Sequence, residues 1–234
     1  MQTLRSTVYL ILFSVWTTVV AVGFTPILFG PRRWSHWMFN FWGKGVIALL
    51  GLVGVRVEVR GREYIPTGAA LVAPKHQCML DVFAQFTWLP ANAFVMKKEL
   101  AWIPWFGWYG KKAGAIVIDR AGAAKTMRQL IREGIDRFKW GAQLVIFPEG
   151  TRQPIGAAPD YKPGIAALYK ELNVPVYPVA TNAGEHWSAK GLKLTPGLIV
   201  YEYLEPIPPG LKRAEFMRLL EERIEMKSNE LLGR

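Results

Sequence analysis

The spacing of hydrophobic positions changes near residue 55, and the change predicts two differently built parts of the chain. Residues 6–31 contain no charged side chain, with Arg5 before the run and Arg32 after it. A run of this length can cross a bilayer or enter it deeply. A cleaved signal peptide is the competing interpretation, but no small-residue cleavage site follows the run and Pro26 lies near its end. We therefore expect a retained membrane anchor.

Residues 34–53 predict a second helix of a different kind. Apolar side chains recur there at three-and-four spacing: Trp34, Trp37, Met38, Phe41, Gly45, Leu49 and Leu52. A polar stripe recurs every four residues on another side: His36, Asn40 and Lys44. An aromatic helix with one polar stripe is suited to the bilayer interface. Periodicity fits equally well a helix whose polar stripe faces the protein's own domain.

Beyond residue 55 the pattern is that of an α/β domain. Val55, Val57 and Val59 alternate with charged residues, which predicts a half-buried strand. Six further apolar runs predict strands at residues 69–73, 93–96, 115–118, 143–147, 176–180 and 198–203. Helical patterns occupy residues 121–140, 164–172 and 212–232, the last with Phe216, Leu219, Leu220 and Ile224 inward. Strands interleaved with helices predict a central mixed sheet flanked by helices. We thus expect anchoring helices in residues 1–54 and one α/β domain in residues 55–234.

Composition narrows the classes of partner. Hydrophobic residues make up 51% of the 234 residues and the formal net charge is +11, so the chain should attract polyanions. Its basic residues are scattered without a nucleic-acid motif, which favours a membrane surface over nucleic acid. The single cysteine, Cys78, excludes an internal disulfide. Only three histidines are present, which argues against a histidine-rich metal centre.

Residues 75–81 carry a candidate base and a carboxylate that could orient it. His76 and Asp81 are five positions apart, so on one continuous helix they would point about 140° away from each other. They can pair only if His76 precedes the helix and Asp81 lies in its first turns. A strand followed by Pro74 supplies such a transition. Spacing alone also fits a buried, structurally satisfied histidine.

Cys78 raises an alternative in which a thiol nucleophile is activated by His76. Neighbouring positions in the sequence do not place a thiol on an imidazole. A free cysteine is more often a small buried hydrophobic residue, and that is what we expect here.

Residues 147–152 place a carboxylate, a hydroxyl and a guanidinium on a turn that follows an apolar run. Ligand sites in open α/β sheets lie at the carboxyl ends of strands. Gly150 permits a tight turn, and Arg152 can grip a phosphate through two parallel hydrogen bonds. A surface turn with a solvated ion pair is the alternative. Arg120 ends another predicted strand and could join Arg152, whereas residues 122–126 lack the glycine spacing of a phosphate loop.

Four motifs in this order closely resemble those of the glycerolipid acyltransferases, in particular the 1-acylglycerol-3-phosphate acyltransferases. They are residues 76–81, 114–120, 147–152 and 174–178, with residues 97–100 and 103–107 similar as well. The resemblance covers roughly residues 69–180. The chain departs from the family pattern at Lys75, Cys78 and Gln153, where members commonly have Asn, Ser and Ser. The Cys78 departure argues against a required hydroxyl at that position.

The resemblance implies transfer of a fatty acyl group from a thioester to a lysophospholipid. The donor would be acyl-CoA or acyl carrier protein, the acceptor 1-acyl-sn-glycerol-3-phosphate (lysophosphatidic acid), and the product phosphatidic acid. It implies no metal and no cofactor apart from this donor substrate. His76 would be the general base and Asp81 its orienter. The acceptor's glycerol phosphate would be held by Arg120, Glu149, Gly150, Thr151 and Arg152, with Lys98 a further candidate.

The same resemblance implies membrane lipids as partners and a place at the cytoplasmic face of a bacterial inner membrane. Another lysolipid acceptor, such as a lyso-ornithine lipid, is the alternative within the class. A basic membrane-bound scaffold without catalysis is the alternative outside it. An aromatic cluster that follows the second motif could be core, an interfacial anchor or a wall of an acyl channel: Trp102, Trp105, Phe106, Trp108 and Tyr109.

Overall fold

In the part of the chain that a computed structural model describes, residues 2–119, 123–191 and 193–234, seven strands form one central sheet. The strands are β1 (Val55–Arg60), β2 (Ala70–Pro74), β3 (Asn92–Lys97), β4 (Ile116–Ile118), β5 (Gln143–Val145), β6 (Val176–Thr181) and β7 (Gly197–Tyr203). Their order across the sheet is β1-β7-β6-β2-β5-β3-β4. β6 and β7 are antiparallel and all other neighbours are parallel, so the predicted mixed sheet is confirmed.

Helices cover both faces of the sheet. They are α1 (Gln2–Gly23), α2 (Arg32–Leu52), α3 (Leu80–Trp88), α4 (Phe106–Ala113), α5 (Ala123–Phe138), α6 (Gly164–Leu172), α7 (Ala183–His186) and α8 (Arg213–Leu231). Short 3-10 helices occupy Thr25–Phe29, Arg62–Tyr64 and Lys98–Trp102. Along β2, Val72 packs with residues of α2, α3 and α4, whereas Leu71 and Ala73 pack with residues of α5, α6 and α8. β2 is buried on both faces, as expected for a central parallel strand.

The predicted elements agree with the observed ones to within a few residues. Each predicted strand is present. The helix predicted over residues 121–140 corresponds to α5, and residues 121 and 122 lie outside the described ranges. In α8, Phe216, Leu220 and Ile224 are fully buried as predicted, while Leu219 is half-buried. The closing helix therefore completes the core on its face of the sheet.

α1 leaves most of its apolar surface uncovered. Among the described residues it is the one helix whose length and composition allow it to cross a membrane. Ile11, Val15 and Val19 are each more than half exposed. Tyr9 is buried instead, with its ring 5.4 Å from that of Trp187. One side of α1 thus packs on the domain and the other presents hydrocarbon outward.

Two of the three residues in the polar stripe of α2 face the protein. His36 is buried with Nε2 2.7 Å from the carbonyl oxygen of Ala113, and Asn40 donates to the carbonyl of Thr87. Lys44 is exposed, and Trp34 and Trp37 are exposed on the outer side. The alternative in which the stripe contacts the domain is observed for His36 and Asn40. The boundary at residue 54 stays a prediction, since α1 and α2 share their core with the sheet.

Candidate active site

Strands β2 and β5 deliver the two polar motifs to one edge of the sheet. The strands are parallel neighbours, and Val72 pairs with Val145, the last residue of β5. Segments that follow parallel neighbours emerge at the same edge. His76 and residues 147–152 therefore meet, although more than 70 positions separate them in the sequence.

His76 and Asp81 form a hydrogen-bonded pair at this edge. Nδ1 of His76 lies 3.0 Å from Oδ2 of Asp81. β2 ends at Pro74 and α3 begins at Leu80, so His76 precedes the helix and Asp81 lies in its first turn. This is the loop-to-helix arrangement that the sequence predicts, and the pairing is confirmed. The roles of base and orienter stay predictions.

The Asp81 carboxylate is fully buried and is held by several donors. Oδ2 accepts from the backbone N–H groups of Gln77 (2.6 Å) and Cys78 (2.7 Å), and Oδ1 accepts from the hydroxyl of Tyr201 at 2.7 Å. Burial, and to a smaller extent the charge of Asp81, raises the pKa of Tyr201 well above its ordinary value, so the hydroxyl remains a donor. Because an ionised carboxylate only accepts, its contact with His76 places the ring hydrogen on Nδ1. That tautomer leaves a lone pair on Nε2.

His76 opens onto a cavity of ≈ 400 Å³. Its side chain is 14% exposed, and no hydrogen bond joins Nε2 to another residue in the described ranges. The polar part of the cavity wall comes from Glu149, Gly150, Thr151 and Lys162. The remaining wall is mostly apolar. A neutral imidazole nitrogen beside an open cavity can accept a proton from a bound hydroxyl.

The loop after β5 holds His76 from both sides. The His76 N–H donates to Oε2 of Glu149 at 2.6 Å, and its carbonyl accepts from the N–H of Gln153 at 2.8 Å. The ring stacks on Phe147 with 4.0 Å between centroids. Gly150 lets the loop turn back at φ +69°, a backbone conformation that glycine adopts without strain. Backbone and ring of His76 are thus both restrained.

Glu149 has different neighbours from those the resemblance implies. It is 1% exposed, and its Oε1 lies 3.3 Å from Nζ of Lys75. Burial raises the pKa of Glu149, an effect that the nearby Lys75 ammonium opposes. Since both oxygens contact the protein itself, burial and like charge disfavour a direct contact with an acceptor phosphate. Glu149 contributes to the site through Lys75 and His76.

Three of the other predicted acceptor-binding residues lie at or beside the cavity. Gly150 and Thr151 line it, and Arg152 is exposed next to it with no ion pair to any described residue. Lys98 is exposed beyond β3, 3.5 Å from a carboxylate oxygen of Asp119 beyond β4. Arg120 lies outside the described residues. The structure therefore gathers the third motif at the cavity and places Lys98 further along the same sheet edge.

Cys78 is fully buried, as expected from sequence. Burial, and to a smaller extent the charge of Asp81, raises the pKa of the Cys78 thiol well above its ordinary value. Its Sγ lies 3.5 Å from Oδ1 of Asp81. A protonated thiol inside the core is a poor nucleophile, which argues against the covalent alternative.

A second, apolar cavity of ≈ 120 Å³ adjoins the cavity beside His76. Phe94, Val95 and Phe147 line both cavities, and Phe39 and Phe106 extend the apolar one toward α2 and α4. The residues of the predicted aromatic cluster have different surroundings, and only the core interpretation is observed directly. Tyr109 is core, Trp102 and Trp108 are exposed, and Phe106 lines the cavity.

Two residues that contribute to the site were not predicted from the sequence. Tyr201 reaches Asp81 from 120 positions away, and no motif marks it. Lys75 lies inside the first motif, but its partners are distant in sequence. The stacking of Phe147 on His76 has a weak signal in the sequence, namely an aromatic residue at the start of the third motif.

Among the described residues, no three of His, Cys, Asp and Glu gather in a way that could hold a metal ion. Catalysis without metal or cofactor stays a prediction.

A restrained histidine–aspartate pair thus lies beside a cavity at the carboxyl edge of a mixed sheet, where open α/β proteins place their ligand sites. Residues 56–182 match the family model described as Acyltransferase. A 1-acyl-sn-glycerol-3-phosphate acyltransferase of Pseudomonas aeruginosa is 35% identical over 203 residues, which cover 85% of this chain and 78% of the relative. The protein of the same name from Cocos nucifera is 27% identical over 161 residues, 68% of this chain and 52% of that relative.

The solved structure of another protein also matches the fold of this chain. The 1-acyl-sn-glycerophosphate (LPA) acyltransferase PlsC from Thermotoga maritima superposes with a TM-score of 0.85 at 25% identity, covering 100% of this chain and 99% of that one. The chain belongs to the acyltransferase family. The predicted enzyme class is therefore confirmed, and the non-catalytic scaffold is excluded.

Proposed function

We propose that the protein transfers a fatty acyl group from acyl-CoA or acyl carrier protein to the sn-2 hydroxyl of 1-acyl-sn-glycerol-3-phosphate, forming phosphatidic acid. The observation that carries the proposal is the His76–Asp81 pair, with Nε2 of His76 unpaired among the described residues beside the cavity. The names of the relatives from Pseudomonas aeruginosa and Thermotoga maritima support the choice of acceptor.

In the proposed reaction, Nε2 of His76 removes the proton from the acceptor hydroxyl as its oxygen attacks the thioester carbonyl. The carbon–oxygen bond forms, the tetrahedral intermediate collapses and the carbon–sulfur bond breaks. The leaving thiolate takes the proton from the His76 imidazolium, which restores the base. Asp81 stabilises the imidazolium while it exists. The acyl chain would enter the apolar cavity beyond Phe147.

The acceptor is tested by a panel of lysolipids offered to purified protein in lipid or detergent. We expect lysophosphatidic acid to be acylated fastest, a neutral monoacylglycerol to be poor, and phosphatidic acid to appear by mass spectrometry. Preferential acylation of a lyso-ornithine lipid would transfer the assignment to that acceptor while leaving the reaction type intact.

Arg152 should be sensitive to a conservative change. Lysine keeps the charge but loses the planar fork that grips phosphate through two hydrogen bonds, so Arg152→Lys should raise the acceptor KM on lysophosphatidic acid. The matched control is Arg218→Lys, an exposed arginine on α8 that pairs with Glu222. An equal loss on a neutral acceptor, or a change only in the KM of the thioester, would remove Arg152 from the phosphate.

Cys78 should be dispensable for chemistry. If the acceptor hydroxyl attacks the thioester directly, Cys78→Ala should retain most of the turnover of the wild type, apart from any loss caused by the missing buried sulfur. Intact-mass spectrometry during turnover should find no acylated protein. Stoichiometric acylation of Cys78 would instead establish a covalent intermediate.

We further propose that α1 holds the protein in the bilayer, at its cytoplasmic face, where the lysolipid is dissolved and the thioester arrives from solution. Each Lys or Arg near an anionic leaflet contributes about 1 kcal/mol, a salt-sensitive attraction, whereas apolar insertion resists salt. The intact protein should therefore stay with membranes in a high-salt wash. Ile11→Glu with Val15→Glu should release it, and Met226→Glu, an equally exposed apolar position on α8, should not. Release of the unmodified protein by salt would contradict the anchor.

A further inference from the structure

Lys75, the residue before the proposed base, is a buried cation held between two carboxylates. It is 9% exposed, and its backbone N–H donates to the carbonyl of Val179 on the neighbouring strand. Its Nζ lies 3.3 Å from Oε1 of Glu149 and 2.5 Å from Oε1 of Glu225. Lysine is almost never this buried unless it is paired, so the ammonium is fixed by these two contacts.

The pairing with Glu149 leads directly to the proposed base. One oxygen of Glu149 faces Lys75 while the other accepts the N–H of His76 at 2.6 Å. Burial alone favours the neutral form of Glu149, and the ammonium of Lys75 counters this. The cation thereby favours the ionised form of Glu149, whose Oε2 accepts the His76 N–H.

The second carboxylate ties this arrangement to the C-terminal helix. Glu225 lies on α8, and its Oε1 also accepts from the hydroxyl of Tyr161 at 2.9 Å. Tyr161 is itself buried in the core beneath α8. The ammonium of Lys75 is therefore also held by residues that do not line the cavity around His76.

We propose that Lys75 is a positioning residue for catalysis, acting with Glu225 through Glu149 on the backbone of His76. It touches neither substrate. Its function is to keep the His76 peptide where Nε2 meets the acceptor hydroxyl, because misplacement of a reacting group by about 1 Å can cost on the order of 10²-fold in rate. The inference rests on the proposed function of His76.

The alternative is an ion pair that serves only the fold, and kinetics separate the two. We expect Lys75→Met to lower kcat on the order of tenfold to a hundredfold while the KM values for acceptor and thioester change little, because only transition-state geometry is lost. Lys75→Arg keeps a cation between the carboxylates and should recover part of kcat. The matched control is Lys227→Met, which removes a lysine of α8 that also has two carboxylate partners, Glu202 and Glu230, and should leave kcat unchanged.

If Lys75→Met fails to fold, Glu149→Gln provides a second test. The glutamine side chain has the same shape as glutamate and, being uncharged, needs no cation beside it. It should lower kcat with an unchanged acceptor KM. A wild-type kcat in folded Lys75→Met, or a change confined to the melting temperature, would overturn the inference. A rise in acceptor KM for Glu149→Gln would return Glu149 to the acceptor site and also overturn it. Wild-type protein without acyltransferase activity would refute the proposed function instead.

Discussion

Replacing His76 with alanine should lower kcat by about 10²–10⁴-fold, the range that general acid–base catalysis supplies. The variant should fold, because the contacts of residue 76 with Glu149 and Gln153 use its backbone N–H and carbonyl, which alanine retains. Steady-state thiol release from the thioester donor measures the effect. Among the described residues that line the cavity, no other side chain is placed to replace Nε2, since Lys162 pairs with Asp160 and the Glu149 oxygens are occupied.

His186→Ala is the matched control for this change. His186 lies on α7, where its Nδ1 is 3.2 Å from the carbonyl oxygen of Thr195, and it does not line the cavity. We expect this variant to keep the wild-type rate. Near-normal turnover by folded His76→Ala would remove His76 from the role of base.

Asp81→Asn should be nearly as severe, with kcat falling by about 10²–10⁴-fold, since the loss of an orienting carboxylate costs up to about 10⁴ in comparable sites. The amide occupies the same volume and its oxygen can still accept from the N–H groups of Gln77 and Cys78. It cannot stabilise an imidazolium as a carboxylate does. The expected signature is a lower kcat with KM values close to those of the wild type.

Two measurements separate this effect from misfolding. The melting temperature of Asp81→Asn reports any damage to the buried network around Tyr201. Asp136→Asn supplies the matched control, because Asp136 is an exposed carboxylate of α5 that pairs with Lys139 far from the cavity. A folded Asp81→Asn protein with wild-type kcat would show that orientation of His76 does not require the charge.

Local patterns sufficed to predict the sheet. β1 shows an alternation of valine with charged residues, as a half-buried strand does. The other strands of the domain are short apolar runs bounded by polar or turn residues, and burial keeps that signal strong. The short helices gave weaker signals. α4 contains two glycines and follows Pro104, so its eight residues show no clear helical period. For α2, periodicity located the polar stripe but could not say what it faced, because that depends on α3 and α4 packing against it.

The site was predictable as far as its contacts are local. His76 and Asp81 lie five positions apart across a loop-to-helix transition, so backbone geometry allowed their pairing and the local sequence indicated the transition it needs. Tyr201 and Glu225 approach from 120 and 150 positions away through the tertiary fold, and nothing in their own surroundings marks them. Glu149 looked like a surface acid of a phosphate-binding turn. The turn instead folds back on β2 and buries the carboxylate against Lys75.

Direct transfer of an acyl group to a lysolipid hydroxyl by a histidine base can be tested in one assay. Thiol release and phosphatidic acid are measured together, using purified wild-type protein in lipid with acyl-CoA, with and without lysophosphatidic acid. We expect thiol to be released only when the acceptor is present, in a one-to-one ratio with phosphatidic acid, and no acylated protein to accumulate. Release of thiol at the same rate without acceptor, or phosphatidic acid formed at the wild-type rate by His76→Ala, would contradict it.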